Sequence, residues 1–179
     1  MAVAQARPSP QPSPRGGEGP TATPFPHGIP SGVAESYGHI NRALAAGLRR
    51  LGLEPAVSAA DGHPRRFLCF ERRSRYDLVV EGHKVVGSAQ RRRAGAVLQH
   101  GSILVGRSAA RRIPDRSISE LLGRDVPLEE AAEAILRGFE TELRWQFEPG
   151  GLSVAEGHLA EGLRHHKYNH LAWPRRRAR

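Results

Sequence analysis

Along the middle of the chain, apolar side chains recur at steps of three and four: Tyr37, Ile40, Leu44, Leu48 and Leu51. That spacing puts them on one face of an α-helix, and Gly52 supplies its stop. Ala56–Ala59 and Phe67–Phe70 are short strand candidates on either side of Asp61-Gly62-His63-Pro64, a turn sequence. Tyr76–Val80 is rich in β-formers, and Glu81-Gly82-His83 turns the chain into Lys84-Val85-Val86, so the two segments predict a hairpin. Ala96–Val105 predicts another strand, and Ile118–Leu122 a short helix. Pro127 heads a longer amphipathic helix carrying Leu128, Ala132, Ile135, Phe139 and Leu143. Ser153-Val154-Ala155-Glu156 is a capping box that opens a last helix through about Tyr168, weakened inside by Gly157 and Gly162.

Composition changes this picture at both ends. Eight of the 14 prolines fall within residues 1–30. A stretch so poor in apolar side chains cannot offset the entropy of ordering it, so residues 1–29 are expected to be a disordered or polyproline-like leader. It resembles the translated repeat elements found at the ends of bacterial reading frames. The Arg175–Arg179 tail is expected to be solvated and frayed. Between them, residues 30–174 are long enough for one domain with a core. No apolar run is long enough for a membrane span and no secretory segment follows the start, which predicts a soluble, cytoplasmic protein. A single cysteine, Cys69, excludes an intrachain disulfide.

The net charge of +9 suits nucleic acid, a membrane face or an acidic protein equally well. How that charge is made is more informative. Of the 27 lysines and arginines only Lys84 and Lys167 are lysine. Arginine is a planar fork and lysine a compact, rotatable ammonium, so a lysine kept in the central hairpin leans toward a function. A solvated residue in a turn is the other reading of Lys84. Cys69 likewise has two readings. Phe67, Leu68 and Phe70 around it suit an inert buried thiol. Lys84, 15 residues on and past one strand and a turn, could return to it and favour its thiolate. Gly87, Ser88 and Ala89 are small enough to let a ligand approach the backbone, and His100-Gly101-Ser102 repeats that character on the next strand. His100 is a conceivable general base, although a histidine beside glycine is more often structural.

At these residues the chain resembles a known family. Glu81-Gly-His-Lys-Val-Val-Gly-Ser-Ala-Gln90 with Leu98-Gln-His-Gly-Ser-Ile103 is similar to the catalytic domain of the biotin and lipoate protein ligases. A Cys-Phe pair 15 residues before the lysine resembles the cysteine-dependent octanoyltransferase branch of lipoate assembly. The similarity runs from about Ile29 to Trp173. It implies an α/β fold of the α+β type, a mixed sheet flanked by helices and here only part of that domain. It implies further that Cys69 takes an octanoyl group from octanoyl-acyl carrier protein. The group would then pass to a lysine of a lipoyl-domain protein such as the glycine-cleavage H protein. Lys84 would lower the Cys69 pKa and steady the carbonyl oxygen, with Gly87, Ser88, Ala89, His100 and Gly101 lining the acyl site. No metal and no cofactor are implied, and neither nucleic acid nor membrane is a partner.

Two departures accompany the resemblance. His83 stands where the family commonly has a second lysine or arginine. The Arg-x-x-Gly-Gly-Arg-like motif that walls the family's acyl pocket has no counterpart before Pro30, where the proline-rich leader stands. The expectation is therefore an N-terminally truncated domain, an incomplete sheet with an exposed apolar face, and weak or no activity in isolation. An ATP-dependent lipoate–protein ligase, which shares the Lys84 signature and needs no cysteine, is the alternative, together with an inactive remnant. A basic nucleic-acid module ranks low, because the sequence lacks interleaved aromatic side chains for base stacking.

Overall fold

The computed structural model describes residues 3–8, 28–59, 74–93, 96–106 and 114–169. The chain divides into two compact units, residues 7–146 and residues 1–6 with 147–179.

The larger unit is built on a four-stranded sheet in the order β2-β3-β4-β5, made of Ala56–Val57, Leu78–Val80, His83–Arg93 and Ala96–Ile103. All three pairings are antiparallel, so among its strands the sheet is not the mixed one expected. The connections explain why. Only Glu81 and Gly82 separate β3 from β4, and both have positive φ, 50° and 78°. A two-residue loop of that hand matches the right-handed strand twist and turns the chain straight back on itself. The candidate strand Phe67–Phe70 lies outside the described residues, as does the Arg175–Arg179 tail.

Helix α1 (Val33–Arg50) begins a turn before the periodic stripe and stops where Gly52 allows it. The Gly52 amide donates to the Arg49 carbonyl at 2.9 Å and the Leu53 amide to Leu48 at 3.2 Å, while Gly52 takes φ 95°. Those two bonds satisfy carbonyls that the helix end would otherwise strand. Helix α2 (Ile118–Leu122) is opened by a capping box between Ser117 and Glu120 and closed by Gly123 at φ 65°.

Helix α3 (Leu128–Leu143) occupies its predicted span, and Ile135, Phe139 and Leu143 of the predicted stripe pack against the core, but its most buried positions are others. Leu128 and Ala132 are exposed, and Ala131, Ala134 and Gly138 are buried. The reason is a close crossing with α1. A Cβ on Gly138 would fall 2.2 Å from the Ala43 carbonyl oxygen, and one on Gly47 would fall 2.7 Å from the Ile135 Cα. Small residues, not large ones, therefore set the phase of this face. Phe139 stacks on Trp145 at 5.5 Å just beyond the crossing. Leu44, Leu48, Leu78, Val85, Val86, Ile118 and Val126 close the core between helices and sheet.

In the smaller unit, β1 (Val3–Pro8) pairs with β6 (Trp145–Gly150), a strand that the proline-rich composition gives no sign of. Helix α4 (Val154–Leu163) opens with the Ser153–Glu156 capping box read from the sequence and runs into one π-helical turn at Arg164–Tyr168. None of its residues is buried. No helix of the described residues is long and apolar enough to cross a membrane.

The crossing yields a test. Alanine at Gly138 gains about 1 kcal/mol of helix propensity but must push two backbones apart, a strain of about 1–3 kcal/mol or more. Urea unfolding of Gly138→Ala should show a net loss of stability. A midpoint equal to or above that of the unchanged chain would contradict the close crossing.

Candidate functional site

The β3–β4 ladder is not regular. Val80 faces His83 and Val79 faces Lys84, but Leu78 faces Val86. Val85 is therefore an extra residue on β4, a bulge that re-aims the side chain before it. Regular alternation would put Lys84 and Gly87 on opposite faces of the sheet. With the bulge they share one. A Cβ on Gly87 would meet the Lys84 Cε at 2.7 Å and its Nζ at 2.9 Å, so the lysine lies across the bare glycine. Any larger residue at position 87 would displace it.

Asp77, the residue before β3, meets the ammonium there. Lys84 Nζ lies 2.8 Å from Asp77 Oδ2, with the two side chains 4% and 2% exposed. The same carboxylate accepts the Ser74 amide at 2.6 Å and the Ser74 hydroxyl at 3.1 Å. Three donors on one carboxylate, with no solvent needed, are what a buried ion pair requires. The main chain of Lys84 is fixed as well, its amide donating to Asp115 Oδ1 at 2.9 Å. His83 Nδ1 accepts the Arg116 amide at 3.3 Å. The same nitrogen lies 3.8 Å from Asp115 Oδ1.

The register of β4 and β5 sorts the remaining candidates. Gly87 faces Ser102, Ala89 faces His100 and Arg91 faces Leu98, all on the face that carries the lysine head. Ala89 and His100 are exposed. Ser88 faces Gly101 on the opposite side, where Gln90 also points, and that side packs on α1. Gly101 has its own steric reason: a Cβ there would fall 2.4 Å from the Gly87 carbonyl oxygen. Thus Lys84, Gly87, Ala89 and His100 are brought together, while the Ser88 side chain and Gly101 belong to the other face. Cys69 lies outside the described residues.

That other face holds a polar seam against α1. Ser36 donates to Gln90 Oε1 at 3.0 Å, and Arg92 donates to the Ser31 and Gly32 carbonyls at 2.5 and 3.2 Å and to the Ser36 hydroxyl at 2.5 Å. Asn41 donates to the Tyr76 carbonyl at 2.9 Å, and Tyr37 stacks on Tyr76 with ring centres 4.1 Å apart. Burial pushes the Tyr37 phenol up, with a hydrogen bond from the Gln90 backbone pulling the other way. The seam fastens β4 and the segment leading to Asp77 onto one helix.

Sequence reasoning found Lys84 but not Asp77 or Arg92. Asp77 could have been found: a two-residue turn brings the positions flanking β3 and β4 together, and Asp77 is a carboxylate at one of them. Arg92 could not, since nothing separates it by pattern from Arg91 and Arg93.

The chain matches the family model described as the lipoyl protein ligase A/B catalytic domain over residues 23–140. An octanoyltransferase LipM of Symbiobacterium thermophilum is 38% identical over 176 residues, covering 83% of this chain and 64% of that one. Octanoyltransferase LipM of Bacillus subtilis is 35% identical over 173 residues, covering 81% and 62%. The chain thus spans about three fifths of the length of these relatives. Among solved structures, a lipoate-protein ligase A bound with ATP aligns with a TM-score of 0.66 at 24% identity, over 79% of this chain and 59% of that one. A bi-partite lipoate protein ligase of Thermoplasma acidophilum aligns with a TM-score of 0.55 at 24% identity, over 76% and 56%. At that identity the two structures speak for the fold alone.

The buried pair predicts a thermodynamic signature. Asp77→Leu or Lys84→Met alone should destabilise by about 3–5 kcal/mol, because each strands a buried charge. The double variant should cost less than the sum of the two. Denaturant unfolding of the four chains checks this. Single variants within about 0.5 kcal/mol of the parent, as at an exposed site, would contradict it.

Proposed function

Because the chain belongs to the lipoyl protein ligase A/B catalytic domain family, we propose that it transfers an octanoyl group through Cys69. The group comes from octanoyl-acyl carrier protein and goes to a lysine of a lipoyl-domain protein, such as the glycine-cleavage H protein. The observation that carries this reading is the lysine held across Gly87 by Asp77. An ammonium fixed at one point, beside a bare stretch of backbone, can donate to an oxyanion without reorganising.

In the first step the Cys69 thiolate attacks the thioester carbonyl carbon. A carbon–sulfur bond forms, the carbonyl electrons move to oxygen, and the oxyanion faces an N–H of Lys84. Collapse expels the carrier thiolate, which takes up the proton the Cys69 thiol had lost, and leaves an octanoyl thioester on Cys69. In the second step the neutral amine of the acceptor lysine attacks that thioester. The amide forms, Cys69 leaves as thiolate, and the proton lost by the amine restores the thiol.

Asp77 sharpens the role of Lys84. A free ammonium would lower the thiol pKa by its charge. With a carboxylate 2.8 Å away, much of that charge effect is cancelled. Stabilisation of the carbonyl oxygen is then the larger contribution of Lys84. Beyond the lysine, which covers Gly87, Ala89 gives the acyl chain a small exposed residue to lie along, and His100, opposite Ala89, stands on the same face.

Intact-mass measurement after incubation with octanoyl-acyl carrier protein tests the proposal. The expected result is one octanoyl adduct, formed without ATP and absent in Cys69→Ala. Its rate should fall by about 10²-fold or more in Lys84→Met, the size of losing an oxyanion donor. Transfer that requires ATP and survives Cys69→Ala would assign the chain to ligase chemistry instead.

A further inference from the structure

No aspartate or glutamate occurs from Gly82 to Pro114, while Lys84 and six arginines fall within that stretch. The β4–β5 hairpin is the exposed part of it that the structure describes. Its three consecutive arginines do not share one role. Arg92 turns to the α1 face and is spent on the Ser31 and Gly32 carbonyls and the Ser36 hydroxyl. Arg91 and Arg93 turn to the other face, are exposed, and form no ion pair with any described residue. That is the face on which Ala89, His100 and the Lys84 head lie. Leu98, directly opposite Arg91, is 58% exposed, and Ala96 opposite Arg93 is exposed too.

From this placement we infer that Arg91, Leu98 and Arg93 form the docking surface for an acidic carrier domain that delivers its acyl group on a long flexible arm. The inference rests on the acyl-transfer reading and adds where the donor sits. Two guanidiniums around one exposed leucine make an apolar contact within a basic rim, the composition of protein interfaces in which arginine anchors binding. Nucleic acid fits less well, because the hairpin from His83 to Ile103 offers no Phe, Tyr or Trp for bases to stack on. Arg92 keeps the platform rigid by bolting its underside to α1, which reduces the ordering cost of docking.

Distance selects the donor over the acceptor. At about 3.4 Å per residue, Arg91 lies about 14 Å and Arg93 about 20 Å along the strand from Gly87. A domain centred on the arginines reaches Lys84 only through an arm of that length. The thioester-linked arm of an acyl carrier has it, and a bare lysine side chain does not. Electrostatic attraction across such a surface acts mainly on encounter and is weakened by salt.

The experiment compares the full chain with Arg91→Glu/Arg93→Glu. Binding of holo acyl carrier protein is measured across a salt series, and Cys69 acylation is measured from octanoyl carrier and from a small octanoyl thioester lacking the protein. The expected result is carrier affinity reduced at least 10-fold with a shallower salt dependence, and acylation from the small thioester unchanged. Arg91→Gln/Arg93→Gln should fall between. If the double variant binds the carrier as the parent does, or the parent does not bind it at all, the inference is overturned. Loss of acylation from both donors together would also overturn it, by making the arginines part of the acyl site or of folding. Tighter binding of the parent to a DNA duplex than to the carrier, lost in the same variant, would reassign the surface to nucleic acid. Arginine-dependent carrier binding with no acylation from either donor would leave the docking surface standing and remove the acyl-transfer reading.

Discussion

The architecture turns on one buried ion pair. Lys84 and Asp77 meet where β4 carries an extra residue, and each is all but removed from solvent. Burying two charges is unfavourable unless each finds its partner with good geometry and the leftover acceptors are satisfied. Ser74 supplies that satisfaction to Asp77, and the bulge at Val85 supplies the geometry to Lys84. Removing either charged partner leaves the other stranded away from solvent.

What surrounds the pair holds it in place. The Glu81-Gly82 turn fixes the register that brings Asp77 opposite the start of the bare strand. Gly87 leaves the room that the lysine stem occupies. On the far side of the sheet, Asn41 holds the Tyr76 carbonyl and Arg92 ties β4 to the first turn of α1. That helix is itself set by its close crossing with α3 at Gly47 and Gly138. The ammonium is thus positioned from two layers away, and the face it occupies stays open along Ala89 and His100.

How much of this was legible in the sequence follows from the kind of signal each feature leaves. Periodicity marked α1, α3 and the hairpin, because burial of one face repeats along the chain. On α3 it placed Ile135, Phe139 and Leu143 against the core but missed Ala131, Ala134 and Gly138, because a crossing made by glycine and alanine leaves no large apolar residue to count. The scarcity of lysine singled out Lys84, and the Gly-Ser-Ala tripeptide after it marked a bare strand. Which residues of that tripeptide share a face with Lys84 depends on the bulge, and no residue at Val85 announces one. Asp77 and Arg92 are read only once register assigns them partners, since a carboxylate before a strand and an arginine among three have no pattern of their own. The proline-rich start gave no hint of β1, because a strand that pairs with the distant β6 is specified by its partner more than by itself.

The pair can be observed directly, since the chain has only two lysines. A ¹⁵N-lysine-labelled sample should give one slowly exchanging ammonium resonance, from Lys84, against a fast-exchanging one from the exposed Lys167. The account predicts that the slow resonance is present in the parent chain and lost in Asp77→Asn. Two fast-exchanging ammonium signals, unaffected by that substitution, would contradict it.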